Sequence, residues 1–392
     1  MIILTLNAGS SSLKFNVINI ATEESLAEGM AERIGLSEGI LRWTIQGEKG
    51  RLDLDMKDHR QALTAILEKL NETVLKNEGV VAVGHRATHG GPNFGDPVRI
   101  DEKILREIEE LAFYAPLHNP ANAMGIRTAM ELYPDVPHVA VFDTAFHHTM
   151  PDYAYTYGLP HELSQRLGLR RYGFHGTSHR YVAERTANLL GRPLESLKII
   201  TCHLGNGSSI TAVDGGKSVD TSMGLTPLEG LIMGTRSGSL DPGIILTLME
   251  KESMGYKELN ALLNKQSGLL GLSGVSSDCR EVEEVVDTND RARLTMEVLG
   301  YGVLKYIGAY AAAMDGVDVV TFTAGIGENS PTLRSWIGNR MKGLFGVTVD
   351  ESVNQPRSKK ERIISTPDSR VTLAVVPTNE ELMMARYTAK FV

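Results

Sequence analysis

A chain of 392 residues is too long for one ordinary hydrophobic core, so two domains, each with its own core, are expected. Its 42% hydrophobic and 22% charged residues fit a folded globular protein and exclude a disordered chain or a coiled coil. The 40 Lys and Arg are scattered among 48 Asp and Glu for a net charge of −8, without the basic stripe that nucleic acid or an anionic membrane demands, so neither is an expected partner.

The opening run MIILTL has no basic region before it and no long apolar run after it, so it reads as a strand and not as a signal peptide. No apolar stretch reaches spanning length, and a cytoplasmic enzyme is the default. NAGSSS then turns the chain into LKFNVINI, where Leu13, Phe15 and Val17 alternate with Lys14 and Asn16 as a strand with one buried face should. A helix is expected over 59–76, a strand over 80–85, and a helix over 101–115 with Ile104, Leu105, Ile108 and Leu111 on one face. The next helix, 121–133, takes Asn119 as its N-cap and Pro120 as its first residue and stops before Pro134. Further strands are expected at 138–143, 198–203, 208–214, 319–325 and 371–377, and further helices at 177–191 and 301–314. The alternation makes an α/β protein with mixed sheets. Cys202 and Cys279 are too few and too far apart for a metal site, and are read as free thiols in a reducing compartment.

LTLNAGSSSLKFNV (4–17) and TCHLGNGSSITAV (201–213) share one plan: apolar strand, a turn of Asn or Gly with paired serines, apolar strand. Two halves built alike follow, with a boundary near residue 150 where HHTMPDYAYTYGLPHE interrupts the pattern. The expected division is 1–150 for a first domain and 151–380 for a second, with about 381–392 packing back on the first. One Gly-Ser turn is an ordinary hairpin connection, whereas two of them could present backbone N–H groups and hydroxyls to a polyphosphate, with Lys14 adding a point charge. A third glycine cluster, TAGIGENS (323–330), suits the adenosine end of a nucleotide or a plain strand-to-helix turn. GGKSVD (215–220) ends like a P-loop, but Thr211 stands where that motif needs its first glycine. The motifs of serine hydrolases, zinc proteases and dinucleotide enzymes are missing.

GHRATHGG (84–91), VFDTAFHH (141–148), RRYGFHGTSHR (170–180) and GTRSGSLDPG (234–243) set Arg, Asp and His beside glycines near strand ends, where open α/β sheets bind ligands. With NAGSSSLK, APLHNP, HLGNGSS, DTSMG, TPLEG, GIGEN and PTNEE, they make the sequence resemble the acetokinase (acetate kinase) family over its whole length. The resemblance implies two ribonuclease-H-like domains of the actin and sugar-kinase type, with mixed sheets and an interdomain ATP cleft. It implies reversible, Mg²⁺-dependent transfer of a phosphoryl group from ATP to acetate, and a homodimer.

Carried over residue by residue, the resemblance puts Arg86 and Arg236 on the acetate and the migrating phosphoryl group, with His175 donating a hydrogen bond to it and Asp143 as the active-site acid. A carboxylate nucleophile is already ionised at neutral pH, so chemistry favours an orienting Asp143 over one that accepts a proton. The first phosphate loop would include Ser10, Ser12 and Lys14, and the second His203, Leu204, Gly205, Asn206 and Gly207. Asp278, Cys279 and Arg280, with Gly325, Ile326, Gly327, Glu328 and Asn329, match positions near the adenosine, and Asn7 and Glu380 match the magnesium site. The acetate methyl would meet Thr88, Leu117, Phe174 and Pro227. Ala87 and Thr88 stand where the family commonly has two valines; Thr keeps the size of Val, so an acetate-sized pocket with propionate as the slower substrate is expected, but its hydroxyl needs a partner. Propionate kinase and a non-catalytic ATP-dependent clamp on the same fold are the alternatives.

Overall fold

The computed structural model describes every residue except 77, 117, 356, 357 and 359. The chain divides into two compact units, Met1–Phe146 with Asn379–Val392, and His147–Thr378.

The first unit is built on an eight-stranded sheet of β1 (Ile2–Ala8), β2 (Ser12–Asn19), β3 (Glu24–Glu32), β4 (Ile40–Ile45), β5 (Glu48–Asp53), β6 (Val80–Ala87), β7 (Val98–Arg99) and β8 (His138–Phe142). Its order is β5-β4-β3-β2-β1-β6-β8-β7. β1 runs antiparallel to β2 and parallel to β6, and β6 runs parallel to β8, so these strands are buried on both faces. One core joins Leu4, Leu6, Phe15 and Val17 to Leu63, Ile66 and Leu70 of the helix His59–Asn71, and a second joins Ala140 and Phe142 to Leu105, Ile108 and Ile126.

Side-chain oxygens set the helix starts here. Asp58 accepts from Gln61 N at 2.9 Å, and Asp101 accepts from Ile104 N at 2.8 Å. The helix Asn119–Leu132 begins earlier than expected, with His118 as its cap. The Asn119 side chain is taken up elsewhere, accepting from His89 N at 3.1 Å and donating to His89 O at 3.0 Å. The expected helix at 59–76 ends at Asn71, and that at 101–115 tightens after Glu110 into the 3₁₀ turn Leu111–Phe113.

The second unit carries β9 (Lys198–Leu204), β10 (Ser208–Asp214), β11 (Lys217–Thr221), β12 (Val319–Thr323), β13 (Arg362–Ile363) and β14 (Thr372–Val375), ordered β11-β10-β9-β12-β14-β13. The run β11-β10-β9-β12-β14 repeats β3-β2-β1-β6-β8 strand for strand, with the same parallel and antiparallel pairings. The echo between the two Gly-Ser hairpins is therefore a repeat of whole-sheet topology. Gly215 and Gly216, at φ of 56° and 81°, make the two-residue turn between β10 and β11, which accounts for the P-loop lookalike. The helix expected at 301–314 starts at Asp290, because Asn289 accepts from Arg291 N and Ala292 N and caps it there. The strand expected at 319–325 stops at Thr323, since Ala324 takes a φ of 63° and opens the short helix Ala324–Asn329. Both cysteines are buried and free, and no helix among the described residues is long and apolar enough to cross a membrane.

In the first unit the helix Glu380–Thr388 lies against β6 so closely that a Cβ on Gly84 would stand 2.4 Å from Thr388 Oγ1. Gly84→Ala is expected to lower unfolding stability by about 1–3 kcal/mol in urea titrations, and adding Thr388→Ala to recover part of it.

Candidate functional site

In the first unit, parallel strands deliver charged groups to their C-terminal ends. Asn7 is the penultimate residue of β1, Arg86 that of β6, and Asp143 follows β8 directly. Arg86 donates to both carboxylate oxygens of Asp143, Nε to Oδ1 at 2.9 Å and Nη2 to Oδ2 at 2.5 Å. This bidentate fork fixes the plane of the guanidinium. Arg86 Nη1 reaches Asn7 Oδ1 at 3.2 Å, and Lys14, opposite Asn7 on β2, pairs with Glu381. Burial pulls the Arg86 pKa down, but Asp143, with Glu380 and Glu381 beyond it, outweighs burial and raises it overall.

Glu380 opens its helix beside the same cluster. Burial pushes its carboxyl up to about 7, Asp143 and Glu381 push the same way, and Arg86 and Lys14 oppose them. Asn7, Lys14, Arg86, Glu380 and Glu381 line one small cavity. In the neighbouring hairpin Gly9 N donates to Ser12 O at 2.8 Å; Ser10 is exposed and Ser12 half-buried.

In the second unit His175 has a φ of 57°, a left-handed conformation costly for a non-glycine residue, at the head of the helix Gly176–Leu190. Its ring stacks on His203 at 4.2 Å between centroids, and His203 Nδ1 meets Ser178 Oγ at 2.7 Å. An added Cβ on Gly207 would stand 3.4 Å from His175 Nε2 and 3.7 Å from Arg236 Nη1. The absence of a side chain there leaves imidazole and guanidinium facing one small space. Asn206 O accepts from Gly234 N at 3.0 Å, which ties this turn to the segment carrying Arg236. The paired serines act otherwise than the sequence reading supposed: Ser208 Oγ turns back on Gly205, and Ser209 Oγ lies between two imidazoles.

Arg236 Nη1 donates to Pro227 O at 2.9 Å and lies 3.5 Å from Met233 Sδ. Met233 belongs to a buried group with Phe174 and Met223, so Phe174 and Pro227 are set about the arginine together with two methionines that sequence reasoning passed over. Arg171 holds this region in shape, donating to the carbonyls of Thr221, Ser222 and Met223 and to Glu229 at 2.7 Å. Thr88, in the first unit, finds the partner its hydroxyl needs: Oγ1 and N both donate to Asn122 Oδ1 at 3.0 Å. Leu117 lies outside the described residues.

A cavity of about 530 Å³ in the second unit gathers Gly205, Asn206, Asp278, Cys279, Arg280, Gly325, Ile326 and Asn329, all singled out from sequence, with Ser277, Glu283 and Ser330. Asp278 caps the helix Cys279–Glu283 and pairs with Arg280. Burial drives the Cys279 thiol's pKa up, so it lines the cavity as an apolar group. Gly327 and Glu328 are outside the lining: Gly327 O accepts from Arg334 at 2.8 Å, and Glu328 accepts from Thr378 N at 3.3 Å.

The profile of the acetokinase family matches residues 2–386. The acetate kinase of Thermotoga maritima is 53% identical over 399 residues, covering 100% of this chain and 99% of that protein. That of Caldanaerobacter subterraneus is 52% identical over 404 residues, with 100% and 99% covered. Among solved structures, Porphyromonas gingivalis acetate kinase aligns at a TM-score of 0.94 and 46% identity, covering 99% of each chain. A propionate kinase from Francisella tularensis aligns at 0.94 and 41%, covering 100% of each.

Two outcomes follow from the buried groups. His147 donates from Nε2 to Phe174 O at 3.0 Å and accepts at Nδ1 from Ser218; burial pushes its pKa down to about 4. Its neutral form is native, so its contribution is complete above the ordinary imidazole pKa and is lost as pH falls from about 6.5 towards 4, by about 3 kcal/mol at most. Urea titrations across that range should show a shallower fall for His147→Gln. Thr88→Val should cost about 0.5–1.5 kcal/mol in the same assay, because Asn122 keeps the backbone donor, and should leave the order of acid preference unchanged.

Proposed function

We propose, from the premise that this chain belongs to the acetokinase family, that it transfers the γ-phosphoryl group of ATP to acetate, reversibly, giving acetyl phosphate and ADP. Membership makes it a phosphotransferase with a carboxyl acceptor. The observation that carries the assignment of roles is the fork between Arg86 and Asp143. Both oxygens of Asp143 already accept from Arg86, and a proton arriving there would remove the negative charge that strengthens both bonds of the fork. An ionised acetate has no proton to give. Asp143 therefore orients Arg86, and Arg86 carries the positive charge that lets one anion approach another.

Arg236, above its wall of Phe174, Met223 and Met233, supports the migrating group and the small acid, and His175 donates to the phosphoryl oxygens. By the family resemblance, Thr88 of the first unit and Pro227 of the second are also assigned to the acid. With Thr88 the size of valine, acetate is the preferred acid and propionate the slower one; pocket discrimination of one methylene is only about 1–3 kcal/mol. The 530 Å³ cavity takes the adenosine, bounded by the Asp278–Arg280 pair and the helix from Gly325 to Asn329. Ser10, Ser12 and Lys14 in one hairpin, and His203 to Gly207 in the other, contact phosphates.

The family's divalent ion is taken to be Mg²⁺, held by Asn7 and Glu380. Among the described residues no cluster of three or more acidic, His or Cys side chains could hold a metal alone. That suits magnesium, which uses one or two protein oxygens and takes the rest from phosphates and water. Asn7 and Glu380 line one small cavity, and their side-chain oxygens match the one or two that magnesium takes from protein. The bound ion would neutralise phosphate charge. A homodimer and a cytoplasmic location complete the reading, on family grounds.

Acyl phosphate trapped as hydroxamate, with ATP, Mg²⁺ and acetate, propionate or butyrate in parallel, is expected to appear fastest with acetate. Arg86→Ala should lower kcat by about 10²–10³-fold. Hydroxamate from none of the acids would favour the ATP-dependent clamp. Glu380→Gln should raise the Mg²⁺ concentration for half-maximal rate by about 10-fold or more, and an unchanged requirement would remove Glu380 from the metal site.

A further inference from the structure

Behind His175 runs an unbroken line of hydrogen bonds through two residues with no role in the reading above. His175 Nδ1 lies 2.8 Å from Ser209 Oγ, Ser209 Oγ lies 2.7 Å from His179 Nε2, and His179 Nδ1 lies 2.7 Å from Thr201 Oγ1. Ser209, His179 and Thr201 are fully buried. We propose that Ser209 and His179 are positioning residues that hold neutral His175 in the tautomer with its proton on Nε2, ready to donate to an oxygen of the migrating phosphoryl group. This rests on the reading of His175 given above.

The line can run in two directions, and the geometry chooses between them. Thr201 Oγ1 has two acceptors in reach, His179 Nδ1 at 2.7 Å and Thr211 O at 3.5 Å. The second is at the limit of a hydrogen bond, so the hydroxyl donates to His179. His179, accepting at Nδ1, carries its proton on Nε2 and donates to Ser209 Oγ. Ser209 then directs its own proton to His175 Nδ1, and a neutral His175 is left with its proton on Nε2. In the reverse direction His175 would turn a bare lone pair towards phosphoryl oxygens, or become an imidazolium. The point that lies 3.4 Å from His175 Nε2 lies 3.7 Å from Arg236 Nη1, so an imidazolium there would crowd a second cation.

The ionisable groups around His179 are His147, His203 and His175, at ring distances of 5.8, 6.0 and 6.5 Å. Burial, then His147 and His203, lowers the pKa of His179 well below its ordinary value, so the relay stays neutral. The left-handed backbone at His175 and the His203 ring stacked on it fix the ring that receives the relay.

Long-range ¹⁵N–¹H correlation NMR on ¹⁵N-histidine-labelled protein at neutral pH separates the two neutral tautomers and the imidazolium, and His175→Gln assigns the signal. The Nε2–H form is expected in the wild type. Ser209→Ala should shift His175 towards the Nδ1–H form and lower kcat about 10–100-fold with KM for ATP and acetate little changed, less than the outright loss of a donor. His179→Gln, whose amide N–H replaces Nε2–H, should recover most of the kcat that His179→Leu loses. A wild-type His175 protonated on Nδ1, or a folded Ser209→Ala enzyme with tautomer and kcat unchanged, would overturn the relay alone, provided that His175→Leu, which removes the donor, is impaired. A folded His175→Leu enzyme, which has no donor at that place, with full kcat would overturn the reading of His175 and the relay with it.

Discussion

The fork between Arg86 and Asp143 is the interaction on which the chemistry of the first unit depends. A guanidinium at the end of a buried parallel strand has left most of its water behind, and removing one member of such a pair costs about 3–5 kcal/mol because the other is left uncompensated. Asp143 is 4% exposed and Arg86 27%, so the pair is largely desolvated while one side of the arginine stays within reach of solvent. The parallel register of β6 and β8 sets Arg86 opposite Val141, so Asp143, two positions further on, lies within reach of the guanidinium. Asn7 from β1 and the acidic start of the helix Glu380–Thr388 then surround the cation, so that one arginine is shared among several oxygens.

The second unit solves a complementary problem with neutral groups. Four histidines, 147, 175, 179 and 203, lie within 6.5 Å of a neighbouring ring, and hydroxyls of Ser178, Ser209, Ser218 and Thr201 satisfy their nitrogens. Burial keeps His147 and His179 uncharged. Polar chains of this kind are costly when half-satisfied and rigid when complete. Met223, Met233 and Phe174 supply the apolar counterpart, a buried group beside Arg236.

Much of this was legible in the sequence because chemistry and turn residues coincide. Arg86 and Asp143 sit where glycines and polar residues break strand-like runs, and the two Gly-Ser hairpins announced a duplicated plan that the sheet order bears out. What was hidden depends on contacts between distant segments. Strands β3 and β5 escaped notice because ESLAEGMAE has no β-branched residue and β5 is almost wholly exposed; ILRWTI of β4 carried a strand signal that was passed over. Asn119 looked like a helix cap, but it is spent on the backbone of His89, 30 positions away. Ser209 looked like a phosphate-loop hydroxyl, and only the fold reveals the imidazoles of His175 and His179 on either side of it. Met223 and Met233 carried a signal, each beside a glycine in a segment already singled out, but nothing in the sequence pairs them with Phe174.

The central claim is that Asp143 acts through Arg86. A double-mutant cycle on kcat/KM for acetate, with Arg86→Ala, Asp143→Ala and the double variant, tests it most directly. If Asp143 only orients the guanidinium, the double variant should be no worse than Arg86→Ala alone. Losses that multiply would show that Asp143 has a task of its own, such as taking a proton, and would contradict the account.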